Sequence, residues 1–280
     1  MAMARAAGTW PSYLLLAFVV PYYCLIARKS ARASRGYLAR ILGPARFPRS
    51  LARTYRHFFE FGQVLVDRFI FYARGTKSFT FESNGWENIE KGLAGGKGVI
   101  LLSAHVGGWE IASGIRSRFE WHRLPVPLNV AMFVPEEGRV PSFVELLERE
   151  GDIKVIPIGA KELPLEIVAA LGRGEVVAFH GDRVISEARV TIPFLGAPAS
   201  FPTGPWQIAA ATGAPVVVAF LVKEGWRRYR FDTFPPVTVI APRKDRAKVL
   251  EEHVRAFAAT LASVLARHPY QWFNFYEFWQ

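Results

Sequence analysis

Residues 98–110, GVILLSAHVGGWE, join an uninterrupted apolar run to a histidine, two glycines and a glutamate. The uncharged run over 98–104 predicts a strand buried on both faces, as in sheets covered by helices on either side. Around it, KSFTFES (77–83), VPLNVAMFV (126–134), IKVIPI (153–158), EVVAFHG (175–181) and APVVVAFLV (214–222) read as further strands. Helical stretches fall between them at 87–96, 108–119, 141–150, 162–172 and 203–212. That alternation predicts an α/β class fold: a single domain with a central, largely parallel or mixed sheet flanked by helices. Residues 227–240 predict a late strand or hairpin broken by Pro235 and Pro236, and 245–267 a charged amphipathic helix. The tail HPYQWFNFYEFWQ is dense in aromatics and must pack onto the domain or touch lipid.

Before the first strand the pattern differs. Residues 10–27, WPSYLLLAFVVPYYCLIA, carry no charge. Eighteen helical residues span about 27 Å, marginal for a bilayer core, and Pro21 is expected to kink the helix. Residues 28–56 then hold nine basic side chains and no acidic one, leaving +2 of the total +11 for the remainder. The basicity is therefore local, and no general nucleic-acid footprint is implied. An apolar helix followed by a basic cluster predicts an uncleaved membrane anchor with the rest of the chain on the cytoplasmic side. A cleaved signal peptide and an ordinary buried helix are the competing readings. Residues 54–75 place Phe58, Phe61, Val64, Leu65, Phe69 and Tyr72 at helical spacing and end at Gly75. No linker separates two globular units, so the chain divides into a membrane-associated helical arm (1–76) and one domain (77–280). The lone Cys24 excludes an intrachain disulfide and a cysteine zinc cluster.

Two predicted strand ends carry candidate chemistry, the usual place for it in such sheets. His105 and Glu110 would lie about 140° apart on one continuous helix. Gly107 and Gly108 supply a break that lets the carboxylate meet the imidazole. Such a pair suits general-base catalysis on a hydroxyl, and the free N–H groups of the following helix can receive an oxyanion. The same spacing also fits a capping or core histidine beside a helix-start glutamate. The second end, VVAFHGDR, offers Arg183 as a phosphate clamp and Asp182 to fix that guanidinium or a substrate hydroxyl. It also fits a plain turn with a local Asp–Arg pair. No G-x-S-x-G elbow, P-loop or H-E-x-x-H motif is present, and a metal site is not expected.

The H-x4-E of residues 105–110 resembles the signature of the glycerolipid and lipid A acyltransferase superfamily. G-W-E-N-I (85–89), P-F-L-G-A-P-A-S-F-P-T-G-P (193–205), T-G-A-P-V-V (212–217) and W-F-N-F-Y-E-F-W (272–279) are similar to blocks of its lipid A biosynthesis branch. The resemblance covers residues 77–280 and, in kind, the arm. It implies a membrane-bound O-acyltransferase at the bacterial inner membrane, moving an acyl chain from a thioester to a hydroxyl of a lipid or glycolipid. Acyl carrier protein or coenzyme A would bring the chain as co-substrate, with no resident cofactor. His105 would be the base, Glu110 its partner, and amides near Gly107, Gly108 and Trp109 the oxyanion site. Asp182, Arg183 and either Arg139 or Arg149 would face substrate. The basic arm would hold anionic headgroups or attract an acidic carrier protein. The G-D-R at 181–183 sets the chain apart from the well-known lipid A enzymes. The alternative is a non-catalytic, membrane-attached scaffold on the same fold.

Overall fold

A computed structural model describes residues 9–75, 78–109, 111–112, 126–132, 153–159 and 163–279. The arm contains α1 (Thr9–Ile26), α2 (Arg28–Leu42) and α3 (Arg49–Arg74). Then come β1 (Thr80–Asn84), α4 (Glu87–Leu93), β2 (Val99–Ser103), β3 (Leu128–Met132), β4 (Ile153–Pro157) and α5 (Leu163–Gly172). The remainder forms β5 (Val176–His180), β6 (Arg189–Phe194), β7 (Ala197–Pro202), α6 (Gly204–Thr212), β8 (Val216–Gly225), β9 (Arg228–Thr233) and α7 (Arg246–Arg267).

Seven strands make one sheet in the order β1-β9-β8-β2-β5-β3-β4. From β8 to β4 all neighbours are parallel, whereas β9 runs antiparallel to β8 and carries β1 parallel to itself. The sheet is thus mixed, with a parallel centre. Alternate residues of β2 feed opposite faces: Ile100 and Leu102 join the larger core with Phe220, Phe257 and Trp272, and Val99 joins Ile89, Val130 and Val217. Burial on both faces explains the unbroken apolar run. Each such side chain contributes about 1.5–3 kcal/mol of transfer free energy.

The proline-rich block at 193–205 falls largely within a separate hairpin, β6–β7, for which no strand was predicted. Leu195 and Gly196 both take positive φ (47° and 81°), as a two-residue hairpin turn requires. Ile192, Phe194, Ala199 and Phe201 face inward on it. Pro21 does not break α1; the chain instead bends by 97° at the junction between α1 and α2. Among the described residues no single helix is long and apolar enough to cross a membrane, although the bent α1–α2 pair passes on length and composition. The predicted helix at 141–150 and most of that at 108–119 lie outside the described residues.

The arm is tied to the sheet by buried polar contacts. Gly62 of α3 meets Leu16 of α1 so closely that a Cβ there would sit 2.9 Å from Cδ2. Beyond that crossing, the buried Asp67 carboxylate accepts hydrogen bonds from Tyr13 of α1 (2.6 Å) and Tyr229 of β9 (2.7 Å) and pairs with Lys223 of β8. His57, fully buried, lies 2.9 Å from Ser34 Oγ through Nδ1 and 2.9 Å from the Trp272 carbonyl through Nε2. The carbonyl can only accept, so Nε2 carries the proton and Nδ1 accepts from Ser34. The tail therefore packs on the domain and the arm rather than standing free.

Burial pushes the His57 imidazole down to about 4 from its usual 6.5. The unfolded chain takes up a proton near 6.5 that the folded chain refuses until about 4, so stability is full above that window and drains across it. The loss should reach about 3 kcal/mol. Denaturant unfolding between pH 7.5 and 4 should show this loss in the native chain and a shallower one in His57→Gln, which keeps one donor and one acceptor.

Candidate active site

The parallel register of β2 and β5 sets Ser103 opposite His180. Two residues beyond each strand end come His105 and Asp182, and the two meet. Asp182 Oδ1 lies 2.8 Å from His105 Nδ1, and Oδ2 accepts the His105 backbone N–H at 2.9 Å. Trp272 Nε1–H (2.8 Å) and Asn274 Nδ2–H (3.3 Å) donate to the same Oδ2. The carboxylate is wholly buried, whereas the His105 side chain keeps 20% of its surface open. Burial alone would raise the Asp182 carboxyl; the adjoining His105 ring and its hydrogen bonds more than reverse this and hold it well below the usual carboxylate range. A carboxylate only accepts, so Nδ1 of the neutral imidazole carries the proton and Nε2 is left bare to act as a base.

This geometry corrects the expected role of Asp182. Its carboxylate is committed to His105, Trp272 and Asn274, so it orients the imidazole instead of fixing Arg183 or a substrate hydroxyl. Arg183 turns the other way, reaching Asn274 Oδ1 at 3.4 Å and lying 5.1 Å from the centre of the Tyr276 ring. It lines a cavity of about 540 Å3 with Arg189, Ser200, Tyr276 and Glu277. Glu110, Arg139 and Arg149 lie outside the described residues.

The glycine break is present, and its cause is close packing. Residues 105–107 thread between the end of β8 and the C-terminal segment. The Gly107 N–H donates to the Gln271 carbonyl and the Gly108 N–H to the Leu221 carbonyl, each at 2.8 Å. Phe273 N–H in turn donates to the His105 carbonyl at 2.8 Å. Of the three amides expected to receive an oxyanion, those of Gly107 and Gly108 are thus already given to backbone carbonyls. Trp109 stands at the mouth of an apolar cavity.

That cavity is lined by Leu101, Val130, Ala178, Leu221 and Phe231, with Trp86 just before α4 and Ile89 within it. His180, which lines it too, stacks on His105 with ring centres 4.3 Å apart and planes at 26°, and meets the Trp109 ring edge-on at 4.3 Å. Burial, then the neighbouring His105, drives His180 down to about 3, so it stays neutral. Among the described residues no serine, threonine or cysteine hydrogen-bonds His105. An imidazole held in this way beside the cavity-lining His180 has the chemistry to activate a hydroxyl supplied by a substrate.

The model of the bacterial lipid A biosynthesis acyltransferase family matches residues 136–280, just over half of the chain, and the chain belongs to that family. The match begins after the His105 block. The phosphatidylinositol mannoside acyltransferases of two Mycobacterium tuberculosis strains, H37Rv and CDC 1551, are each 27% identical over 192 residues. Those residues are 67% of this chain and 56% of each relative, so the chain spans little more than half the length of the proteins it matches. A solved structure, the 1-acyl-sn-glycerophosphate acyltransferase PlsC of Thermotoga maritima, is similar with a TM-score of 0.40 and 17% identity, covering 89% of this chain and 97% of that one.

Proposed function

We propose that this chain is a membrane-associated O-acyltransferase, moving a fatty acyl chain from a thioester of acyl carrier protein or coenzyme A to a hydroxyl of a lipid or glycolipid. The observation that carries this reading is the Asp182–His105 pair, whose imidazole stacks on His180 in the wall of an apolar cavity. His105 Nε2 takes the acceptor's hydroxyl proton as its oxygen attacks the thioester carbonyl carbon. The tetrahedral adduct collapses, the C–S bond breaks, and the departing thiolate recovers the proton from the imidazolium. Product is an ester and a free thiol, with no acyl-enzyme. Family membership and the acceptor named for the mycobacterial relatives support a glycolipid as the hydroxyl donor. The Arg183–Arg189 cavity suits a phosphate of the acceptor headgroup or of the carrier's pantetheine arm. The protein incubated with acyl carrier protein or coenzyme A thioesters and a panel of glycolipids should release thiol only when acceptor is present. Thioester left intact across both carriers and every acceptor would sink the reading. Mass spectrometry of lipids from a deletion strain would then name the acceptor by the species lost.

The arm supports membrane attachment. Trp10, Leu14, Phe18, Tyr22 and Leu25 lie exposed along one side of α1, with Phe47 exposed near the start of α3. Beside them Arg28, Lys29, Arg32, Arg35 and Arg46 are also exposed. An apolar stripe edged by cations suits an anionic bilayer surface, each cation worth about 1 kcal/mol there. Vesicle sedimentation should show binding to anionic lipid that weakens in high salt. Phe18→Asp should lower it by about tenfold, since burying a phenylalanine is worth about 1.5–3 kcal/mol. Equal binding to neutral vesicles by both proteins would count against the arm as an anchor.

A further inference from the structure

We propose that the His180 imidazole is a second catalytic group, donating an N–H to the carbonyl oxygen of the acyl thioester seated in the apolar cavity. This deepens the acyl-transfer reading and rests on it. Attack on a thioester builds negative charge on the carbonyl oxygen, and a desolvated site must meet that charge with a donor already in place. The amides of Gly107 and Gly108 cannot serve, because each already donates to a backbone carbonyl at 2.8 Å. The cavity wall is almost wholly apolar: apart from the indoles of Trp86 and Trp109, only Ser103 and His180 among its described residues carry a polar side chain. Ser103 Oγ makes its contact with the Ala104 carbonyl, at 3.5 Å. His180, half-buried, makes no hydrogen bond through either ring nitrogen among the described residues, so its N–H is free to donate. Its ring is held in register by stacking on His105 and by the edge of Trp109.

The two stacked histidines divide the work. In its neutral form His180 presents one N–H and one bare nitrogen, so it donates without adding a charge against the imidazolium that forms on His105. Its proton is not transferred. The oxyanion accepts the hydrogen bond while the C–O bond forms, and loses it when the carbonyl is restored and the C–S bond breaks. The base and the donor thus sit 4.3 Å apart, ring centre to ring centre, His180 ending β5 and His105 following its parallel neighbour β2.

His180→Phe keeps a flat ring of similar size against His105 and Trp109 but removes the donor. It should lower kcat by about 10²-fold with KM for the thioester little changed, the loss typical of one oxyanion donor. His180→Gln restores an N–H and should recover part of that loss, which a purely packing role would not produce. A second measurement does not depend on turnover. A carbonyl-13C analogue of the acyl thioester, with methylene in place of sulfur, should show its C=O stretch at lower frequency when bound to the native chain or His180→Gln than to His180→Phe. Native rates in His180→Phe, or one frequency in all three proteins, would overturn the proposal while leaving acyl transfer standing. A native chain that releases no thiol would instead remove the acyl-transfer reading, and the carbonyl frequency would still decide the contact.

Discussion

Asp182→Asn is expected to cut acyl transfer by about 10⁴-fold, nearly as far as His105→Ala, while the protein stays folded. The size follows from which atoms face which. Three N–H donors, the His105 amide at 2.9 Å, the Trp272 indole at 2.8 Å and the Asn274 side-chain amide at 3.3 Å, converge on Oδ2. An asparagine in this place must give its carbonyl oxygen to them, because its NH2 there would meet three further donors. Its NH2 is then left facing His105 Nδ1. Nδ1 becomes the acceptor, the imidazole proton moves to Nε2, and the nitrogen that should take a hydroxyl proton already holds one. Single-turnover thiol release measures the rate, and 15N shifts of the His105 ring report the tautomer. Near-native turnover in the variant, or a bare Nε2 with activity lost, would remove Asp182 from this role. Glutamate at 182 offers no simple rescue, since Gly181 beside it is pressed against Phe257 and Leu102 and leaves little room to move.

The sheet was legible because its centre is buried on both faces: Val99, Ile100 and Leu102 have no exposed surface, and such a strand cannot hide its apolar run. The β6–β7 hairpin was not. Pro193, Pro198 and Pro202 interrupt any strand pattern, yet among the described residues β6 and β7 pair only with each other, where prolines at the margins cost little. The histidine was legible as a strand-end residue; the Glu110 expected to pair with it lies outside the described residues, and the bond to Asp182 was not foreseen. The partner that bonds it lies 77 residues on, at the end of the neighbouring parallel strand. One signal was available: two candidate strands, each followed by a polar block containing histidine, would bring those blocks together if paired in parallel. Only strand order decides that, and strand order is set by long-range packing that local periodicity does not carry. The Trp272 bond to Asp182 was invisible for the same reason. An aromatic tail reads as bulk, and nothing in WFNFYEFW marks one indole N–H as a brace for a catalytic carboxylate.

Gly107→Ala should be the most damaging single methyl among the described glycines. Gly107 takes φ of +58°, where an L side chain costs about 1 kcal/mol. Space is the harder limit: a Cβ would stand 2.1 Å from the Leu221 carbonyl oxygen and 3.1 Å from Val222 Cα, both backbone atoms of β8. No rotamer relieves such a clash, so the turn must lift off the strand. Doing so breaks the 2.8 Å bonds from Gly107 to Gln271 and from Gly108 to Leu221. Overpacking and the lost bonds together put the cost at about 3 kcal/mol or more. His105 is two residues away, and a displacement near 1 Å is enough to reduce turnover by about 10²-fold. Thermal unfolding and thiol release should therefore fall together. Gly95→Ala is the control, because nothing lies within 4 Å of a Cβ there and its stability should stay within about 0.5 kcal/mol of native. A Gly107→Ala protein with native melting and native rate would mean that the turn does not need its contact with β8, and the placement of His105 would have to rest on Asp182 alone.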